Sequence, residues 1–418
     1  FHGIITIICV WKEAKKMDPL DIIGNIHDVF PYYQAIFSAD KQEVIGYEVL
    51  GRIHLNGELN SLGGFFLDKT VPDEFKQEVD LVIIEKALEN IVTTGENTLL
   101  FINQHAEILL HDKEEKILKL LLEYEEKGLP LHNIVLEIAG TETLNDKDSF
   151  INLIQYYKTY GIKIAVTKIS GTHLSFLARL EPTILKIDVK ILRESYEMST
   201  HEDVLHSISV LARKMGSTLL YENMEASFQL QYAWRNGGRY YQGYYLHKPS
   251  STLVEKQYAK EKLKGKFHEF IRYEKRKLEA IQRLTEELQE KVQIYLTQLR
   301  PGTELDEWLL GLVTPLNKQS FRMYICDEDG FQLSSNIVKL NGKWLPQQHY
   351  LNKNWSWRPY FLENIMKMRS DRKAILSDVY NDIETKEPIR TFSYPITRNL
   401  YLFVDLSYEF LYEINDLL

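Results

Sequence analysis

The sequence predicts an α/β chain: a closed (β/α)-barrel, then a long charged helix, then a small α+β domain. Three observations predict it. One figure recurs as far as Pro249, an apolar run that ends in a polar residue and is followed by a stretch of helical periodicity. The helical stretches stop at glycine, the expected punctuation at a helix C-terminus. After Pro249, over Ser251–Leu299, glycine almost disappears and charge rises, so a different architecture begins there. Strands that alternate with helices mean a parallel sheet with helices outside it, and the number of repeats favours closure over an open sheet.

In chain order, Phe1–Lys16 includes an apolar stretch too short to span a bilayer and has no positive leading region. It is read as an over-extended start or a disordered segment, with an export signal as the alternative. The barrel is expected over residues 17–250. Gln34–Phe37 and Val44–Val49, joined by Ser38–Gln42, read as a hairpin. Helices are expected over Val79–Ile91, Lys113–Lys127, Phe150–Tyr160, Val204–Met215 and Ser227–Arg235, with Gly95, Gly128, Gly161, Gly216 and Gly237 at or near their ends. Strands are expected over Leu99–Asn103, Ile134–Glu137, Ile162–Val166, Ile184–Asp188, Leu219–Glu222 and Tyr240–Leu246.

A helical connector follows over residues 251–300. Ile281, Leu284, Leu288, Val292, Tyr295 and Leu299 form an a/d-like stripe, which suits either a dimer seam or packing against the chain's own neighbours. Residues 301–418 read as the small domain. Arg322–Ile325, the turn Asp327–Gly330 and Phe331–Ser334 suggest strand, turn, strand, and Phe392–Ile396 with Leu400–Leu406 suggest a second hairpin. Between them lies Trp355–Phe361, WSWRPYF, followed by helical periodicity to Met368.

The chain of 418 residues has 44% apolar content, enough for two or three domains with real cores. A net charge of -9 argues against nucleic acid as a partner, which needs a basic footprint. Two cysteines, Cys9 and Cys326, make no disulfide framework and point to a reducing, cytoplasmic setting. No apolar run approaches the ~18 residues of a membrane span, so no membrane partner is expected.

Polar residues at the C-terminal ends of successive strands are how a (β/α)-barrel builds its site. Glu48, Asn103, Glu137, Asp188 and Glu222 would converge there, with Lys186 among them and Arg52 four residues beyond Glu48. Hard oxygen donors suit Mg²⁺, Mn²⁺ or Ca²⁺ rather than zinc. Such ions serve phosphoester hydrolysis, where two of them clamp the attacking and leaving oxygens. The alternative is that each carboxylate pairs separately with a lysine or caps a helix.

At these residues the chain resembles the EAL-domain family of cyclic-di-GMP-specific phosphodiesterases. Glu48-Val-Leu50 is a variant of the Glu-Ala-Leu signature, with Arg52 at the expected offset, and Gln34 matches the glutamine of the first strand. Leu100-Phe-Ile-Asn103, Leu136-Glu-Ile138 and Leu185-Lys-Ile-Asp188 match successive motifs, Glu222-Asn-Met-Glu225 is similar to Glu-Gly-Val-Glu, and Gln242-Gly-Tyr244 matches the closing motif. The resemblance implies a TIM-like (β/α)8 barrel of the EAL type. It implies metal ligation by Glu48, Asn103 and Glu137, and ligand contacts from Gln34, Glu48, Arg52, Asp188, Glu225 and Gln242. Glu222 and Lys186 would be the catalytic residues if the domain is active. The layout, with its charged connector and a PAS- or Cache-like C-terminal domain, looks like the YkuI type of EAL protein.

The match breaks in two places. Where the family has two metal-serving aspartates this chain has Thr167 and Lys168, a weak neutral donor and a positive charge. One like charge at ~4 Å and an effective dielectric of ~20 costs about 4 kcal/mol. Where the family usually has a second glutamate three residues after Glu137, this chain has Gly140. The expectation is therefore a cytoplasmic signalling protein with a degenerate EAL domain, which binds cyclic-di-GMP with little or no hydrolysis and holds Mg²⁺, Mn²⁺ or Ca²⁺ weakly. A slow phosphodiesterase giving pGpG and an interaction scaffold without nucleotide are the alternatives. The C-terminal domain would take an unknown small ligand through Arg358 and Tyr360, because a guanidinium beside aromatic rings can bind an anion and stack. A homodimer is expected.

Overall fold

The computed structural model describes residues 18–167, 174–190, 192, 198–297, 303–358 and 361–414. The expectation for residues 1–16 lies outside them, as do Lys168 and Tyr360. The chain forms two compact units, one ending at His268 and one spanning Glu269–Leu418. Among the described residues no helix is long and apolar enough to cross a membrane.

The first unit is a closed barrel. β1 (Val29–Ser38) and β2 (Val44–Leu55) pair antiparallel as the expected hairpin, and β3 (Glu58–Ser61) folds back on the far end of β2. The parallel run continues through β4 (Leu99–His105), β5 (Ile134–Ala139), β6 (Lys163–Val166), β7 (Ile184–Asp188) and β8 (Thr218–Glu222). The short β9 (Tyr240–Tyr241) pairs with β8 on one side and β1 on the other, which closes the ring. Ile36, Phe101, Val135, Ala165, Ile184 and Leu220 come from different strands and form one packed layer inside it. Such layers fill a barrel of this size with side chains, so a site has room only at its mouth.

Helices at Asp73–Thr94, Lys116–Glu126, Lys147–Thr159, Met198–Met215 and Ser227–Arg235 alternate with these strands. The five glycines named as stops all have positive φ, from 66° at Gly95 to 102° at Gly128. That left-handed geometry ends a helix without the Cβ clash another residue would meet.

The expected strand Tyr240–Leu246 stops after Tyr241 because Gly243 carries the chain against the backbone of Met224. A Cβ at Gly243 would lie 2.2 Å from the Met224 nitrogen. Met224 donates to the Gln242 carbonyl at 3.2 Å and accepts from the Tyr245 amide at 2.9 Å.

The long helix spans Lys260–Leu296 and does not begin at Ser251. The segment before it is pinned to the barrel: the Tyr47 hydroxyl donates to Val254 O at 2.8 Å, and Val44 N donates to Lys256 O at 2.8 Å. Leu263 and Phe267 are buried in the first unit, with Phe267 edge-on to Tyr241. Further along, Leu284, Leu288 and Val292 are buried in the second unit with Trp308, Leu309 and Leu312. The predicted stripe is thus covered by the chain's own residues; its last member, Leu299, lies outside the described ones.

The second unit is built on an antiparallel sheet in the order β12 (Lys343–Gln347), β11 (Asn336–Leu340), β10 (Ser320–Asp327), β16 (Leu400–Leu406), β15 (Pro388–Pro395) and β13 (Ile375–Leu376), with β14 (Tyr380–Asn381) also pairing β15. Alternation splits its two faces. Met323, Ile325, Leu402 and Val404 meet the long helix, while Tyr324, Cys326, Tyr401 and Phe403 meet the helix Phe361–Asp371. Phe331–Ser334 is not a full strand. It makes isolated bridges, Cys326 to Gln332 and Phe331 to Asn354, and β10 is flanked instead by β11 and β16. The buried Arg322 is matched by Asp382 at 2.7 Å, Asp405 at 2.6 Å and Glu384 at 3.2 Å.

One titratable group behind the barrel wall yields a pH prediction. Gln104 Nε2 donates to Asp80 Oδ2 at 2.6 Å between β4 and the helix Asp73–Thr94. Burial pushes the Asp80 carboxyl up to about 7, against the pull of that hydrogen bond. A folded-state value above the unfolded ~3.9 contributes stability that is full below ~3.9 and lost as pH rises through ~7. Asp80→Asn, which mimics the protonated form, is expected to raise Tm at pH ~8 and leave it nearly unchanged at pH ~4, with an upper bound of about 4 kcal/mol at ~1.4 kcal/mol per pKa unit. Thermal melts of both proteins across that range check it, and a shift of the same size at both ends would count against it.

Candidate functional site

Strand register brings these polar residues together. Gln34 pairs with Glu48 across β1 and β2, Asn103 with Glu137 across β4 and β5, and Asp188 with Glu222 across β7 and β8. One oxygen each from Glu48, Glu137 and Glu222 lies within 4.8 Å of the other two. Lys186, 1% exposed, projects from β7 into this group. Its Nζ lies 3.0 Å from Glu48 Oε2, 2.6 Å from Glu137 Oε2 and 3.1 Å from Glu222 Oε2.

Neutral donors hold the carboxylates from other sides. Asn103 Nδ2 donates to Glu48 Oε1 at 2.9 Å, and Gln242 Nε2 donates to Glu48 Oε2 at 2.7 Å and to Gln34 Oε1 at 3.2 Å. The Thr167 hydroxyl donates to Glu222 Oε1 at 3.2 Å. Gln242 Oε1 is buried with no partner among the described residues.

Charge in this group is unevenly settled. Burial alone would lower the Lys186 pKa, but Glu137, Glu222 and Glu48 hold it well above the ordinary lysine value. Burial pushes Glu48 up, yet Lys186, Asn103 and Gln242 together bring it below its usual range. Glu137 goes the other way: burial, then the Glu48 and Glu222 charges, push it up against the pull of Lys186. Three carboxyl groups surround one ammonium, and hard oxygen donors of this kind fit a divalent cation such as Ca²⁺, Mg²⁺ or Mn²⁺.

The other predicted residues are placed as follows. Arg52 is half-buried; its Nη1 donates to its neighbour's carbonyl, Gly51 O, at 2.8 Å and to Ser61 Oγ at 3.2 Å, and its guanidinium stands 5.4 Å from the Tyr32 ring centre. It has no carboxylate partner among the described residues. Asp188 is exposed and outside the group of three, because its Oδ1 accepts from Lys190 N at 2.7 Å in its own turn. Glu225 stands in the loop after β8, where its amide donates to Gln229 Oε1 at 2.7 Å.

Two supports were not foreseen from sequence. Gln229 is fully buried, accepts the amides of Glu225 and Ala226, and donates through Nε2 to Val189 O at 3.2 Å. It therefore ties together the loops that follow β7 and β8. Gly140 has φ +76°, and a Cβ there would lie 2.3 Å from His105 Nε2. The His105 ring occupies the place of a side chain at position 140, so that loop is rebuilt and not merely short of a glutamate.

In the second unit Arg358 is half-buried, with its guanidinium 4.2 Å from the Trp355 ring centre and no acidic partner among the described residues. Trp355 is itself held by Gln332, whose Oε1 accepts from the indole N–H at 2.9 Å.

Residues 24–249 match the EAL domain family, and residues 253–418 match the EAL-domain associated signalling protein domain. An uncharacterized EAL-domain containing protein of Bacillus subtilis (strain 168), YkuI, is 51% identical over 401 residues, 95% of this chain and 98% of its own. The crystal structure of the B. subtilis YkuI protein in complex with substrate c-di-GMP and calcium has a TM-score of 0.90 at 51% identity, over 96% of this chain and 100% of that one. PdeG of Escherichia coli (strain K12), a probable cyclic di-GMP phosphodiesterase, is 25% identical over 256 residues, 58% of this chain and 48% of its own. The chain belongs to the EAL-domain family and shares the two-domain layout of YkuI.

Proposed function

We propose that the barrel binds cyclic-di-GMP, hydrolyses it very slowly or not at all, and is modulated by the C-terminal unit. The observation that carries this reading is at the end of β6. Position 167 supplies one neutral hydroxyl to Glu222 where the family resemblance implies an acidic pair, while the recognition groups around it are retained. Arg52, free of carboxylates among the described residues, can take a phosphate bidentately. The unpartnered Gln242 Oε1, with Gln34 beside it, can accept from a base edge. Asp188 and Glu225 stand at the same rim as further ligand contacts. The B. subtilis relative, crystallised with c-di-GMP and calcium, supports the same ligand for this chain.

Glu48, Asn103, Glu137 and Glu222 would hold a divalent cation weakly. When bound, such an ion polarises a phosphoryl oxygen and lowers the pKa of a water. The second reading, a slow metal-dependent phosphodiesterase giving pGpG with Glu222 and Lys186 at the reacting phosphate, is favoured by the intact three-glutamate group. We place the protein in the cytoplasm from its cysteine usage. A homodimer would need a surface other than the stripe buried in the second unit.

Calorimetric titration with cyclic-di-GMP, once with Mg²⁺ and once with a chelator, tests the reading. Binding is expected in both, and silence in both would leave only the scaffold alternative. For the C-terminal unit, Arg358→Ala is expected to change cyclic-di-GMP affinity by about fivefold or more at unchanged Tm when an effector anion is present, as coupling between distinct sites requires. A variant that only melts earlier would make Arg358 structural.

A further inference from the structure

We infer that Lys186 is a tethered counter-ion that holds the carboxylate centre in the metal-free protein, so that a divalent cation gains the site only by displacing the ammonium or bearing its repulsion. This rests on the reading of Glu48, Glu137 and Glu222 as a cation site.

The geometry is that of a saturated ion cage. An ammonium has three donors and no acceptor. Here three carboxylate oxygens stand at 2.6, 3.0 and 3.1 Å from Nζ, one from each glutamate. The side chain is fully buried, so no water competes for those donors. Among the described residues the three glutamates have no other cationic partner; Asn103, Gln242 and Thr167 supply neutral donors only. Three carboxylates this close and this buried are unstable without a positive charge between them, and Lys186 provides it with no ion present.

The same contacts set it against an incoming ion. A hard cation bound to Glu137 Oε2 sits at about 2.3–2.6 Å from that oxygen. Nζ is 2.6 Å from the same atom, so an ion on that oxygen lies within about 5 Å of the ammonium wherever it binds. Repulsion between a dication and an ammonium at that separation is strong in a site screened by protein rather than water. Position 167 supplies a neutral hydroxyl, not an acid that would draw the ion to one side. The weak cation binding proposed for this barrel would then have a cause inside the cage as well as at β6.

Calcium calorimetry and thermal melts of the full chain, wild type, Lys186→Met and Lys186→Arg, decide the matter. Lys186→Met is expected to bind Ca²⁺ about tenfold tighter or more, to melt lower than wild type without Ca²⁺, and to recover most of that deficit with it. Lys186→Arg keeps the charge and is expected to bind Ca²⁺ no tighter than wild type. If Lys186→Met folds only with Ca²⁺ present, that rescue supports the inference equally, and a variant that Ca²⁺ cannot rescue overturns it. A folded Lys186→Met that binds Ca²⁺ no tighter than a binding wild type overturns the tethered counter-ion alone. If neither folded protein binds Ca²⁺, the cation-site reading fails and takes the inference with it.

Discussion

Aspartate at both Thr167 and Lys168 is expected to tighten divalent-cation binding by at least tenfold. The Thr167 hydroxyl donates to Glu222 Oε1 at 3.2 Å, so position 167 faces the three glutamates directly. Replacing a hydroxyl and an ammonium by two carboxylates lowers local charge by three units. One unit charge at ~5 Å and an effective dielectric of ~20 is worth about 3 kcal/mol against a monovalent ion. A tenfold gain needs only ~1.4 kcal/mol, so it survives heavy solvent screening. Calorimetry with Mn²⁺ or Ca²⁺ on the double variant measures it, and unchanged affinity would mean that the end of β6 does not reach the ion. Turnover is not expected to return with the metal. The loop after β5 has its own geometry, with Gly140 at φ +76° under the His105 ring, and a glutamate put back at 140 meets both strain and a clash.

Much of the barrel was legible because its signals are local. The strand Ile184–Asp188 and the helix Ser227–Arg235 match their expected bounds, and each glycine stop has the positive φ that makes glycine necessary there. The elements that differ are those decided by a distant partner. β9 ends after two residues because Gly243 must pass the Met224 backbone, and the long helix starts late because Val254 and Lys256 are bonded to the barrel hairpin. Phe331–Ser334 has the alternation of a strand, but β10 is paired along its length by β16 and, at Arg322 and Met323, by β11.

The site was legible in the same uneven way. Glu48, Asn103, Glu137, Lys186 and Glu222 meet because each follows an apolar run on its strand, a pattern the sequence shows, although β2, β4 and β5 continue past them. Asp188 obeys the same pattern and turns away to cap its own loop at Lys190, a choice made by one local hydrogen bond. Gln229 was missed because a glutamine on a helix carries no pattern; only burial of both ends of its amide reveals the work of joining two loops. The stripe on the long helix suited two partners equally by spacing, and the chain's own Trp308, Leu309 and Leu312 decide between them.

Hydrolysis of cyclic-di-GMP is expected to be slower than about 0.01 s⁻¹, far below the ~1–10³ s⁻¹ of ordinary enzymes. A two-ion mechanism needs acidic donors for both ions, one beside the attacking oxygen and one beside the leaving oxygen. The described donors suffice for a single ion: three glutamates with an ammonium already among them. Where the family resemblance implies an acidic ligand for a second ion, this chain has a threonine hydroxyl that donates to Glu222. On the proposed reading Arg52, Gln34 and Gln242 would hold the nucleotide without a water being activated against its phosphate. Incubation of the full chain with cyclic-di-GMP and saturating Mg²⁺ or Mn²⁺, followed by chromatography of the nucleotides, reads this directly. Cyclic-di-GMP recovered intact from a protein that binds it is the predicted result, and pGpG appearing at ~1 s⁻¹ or faster would contradict it.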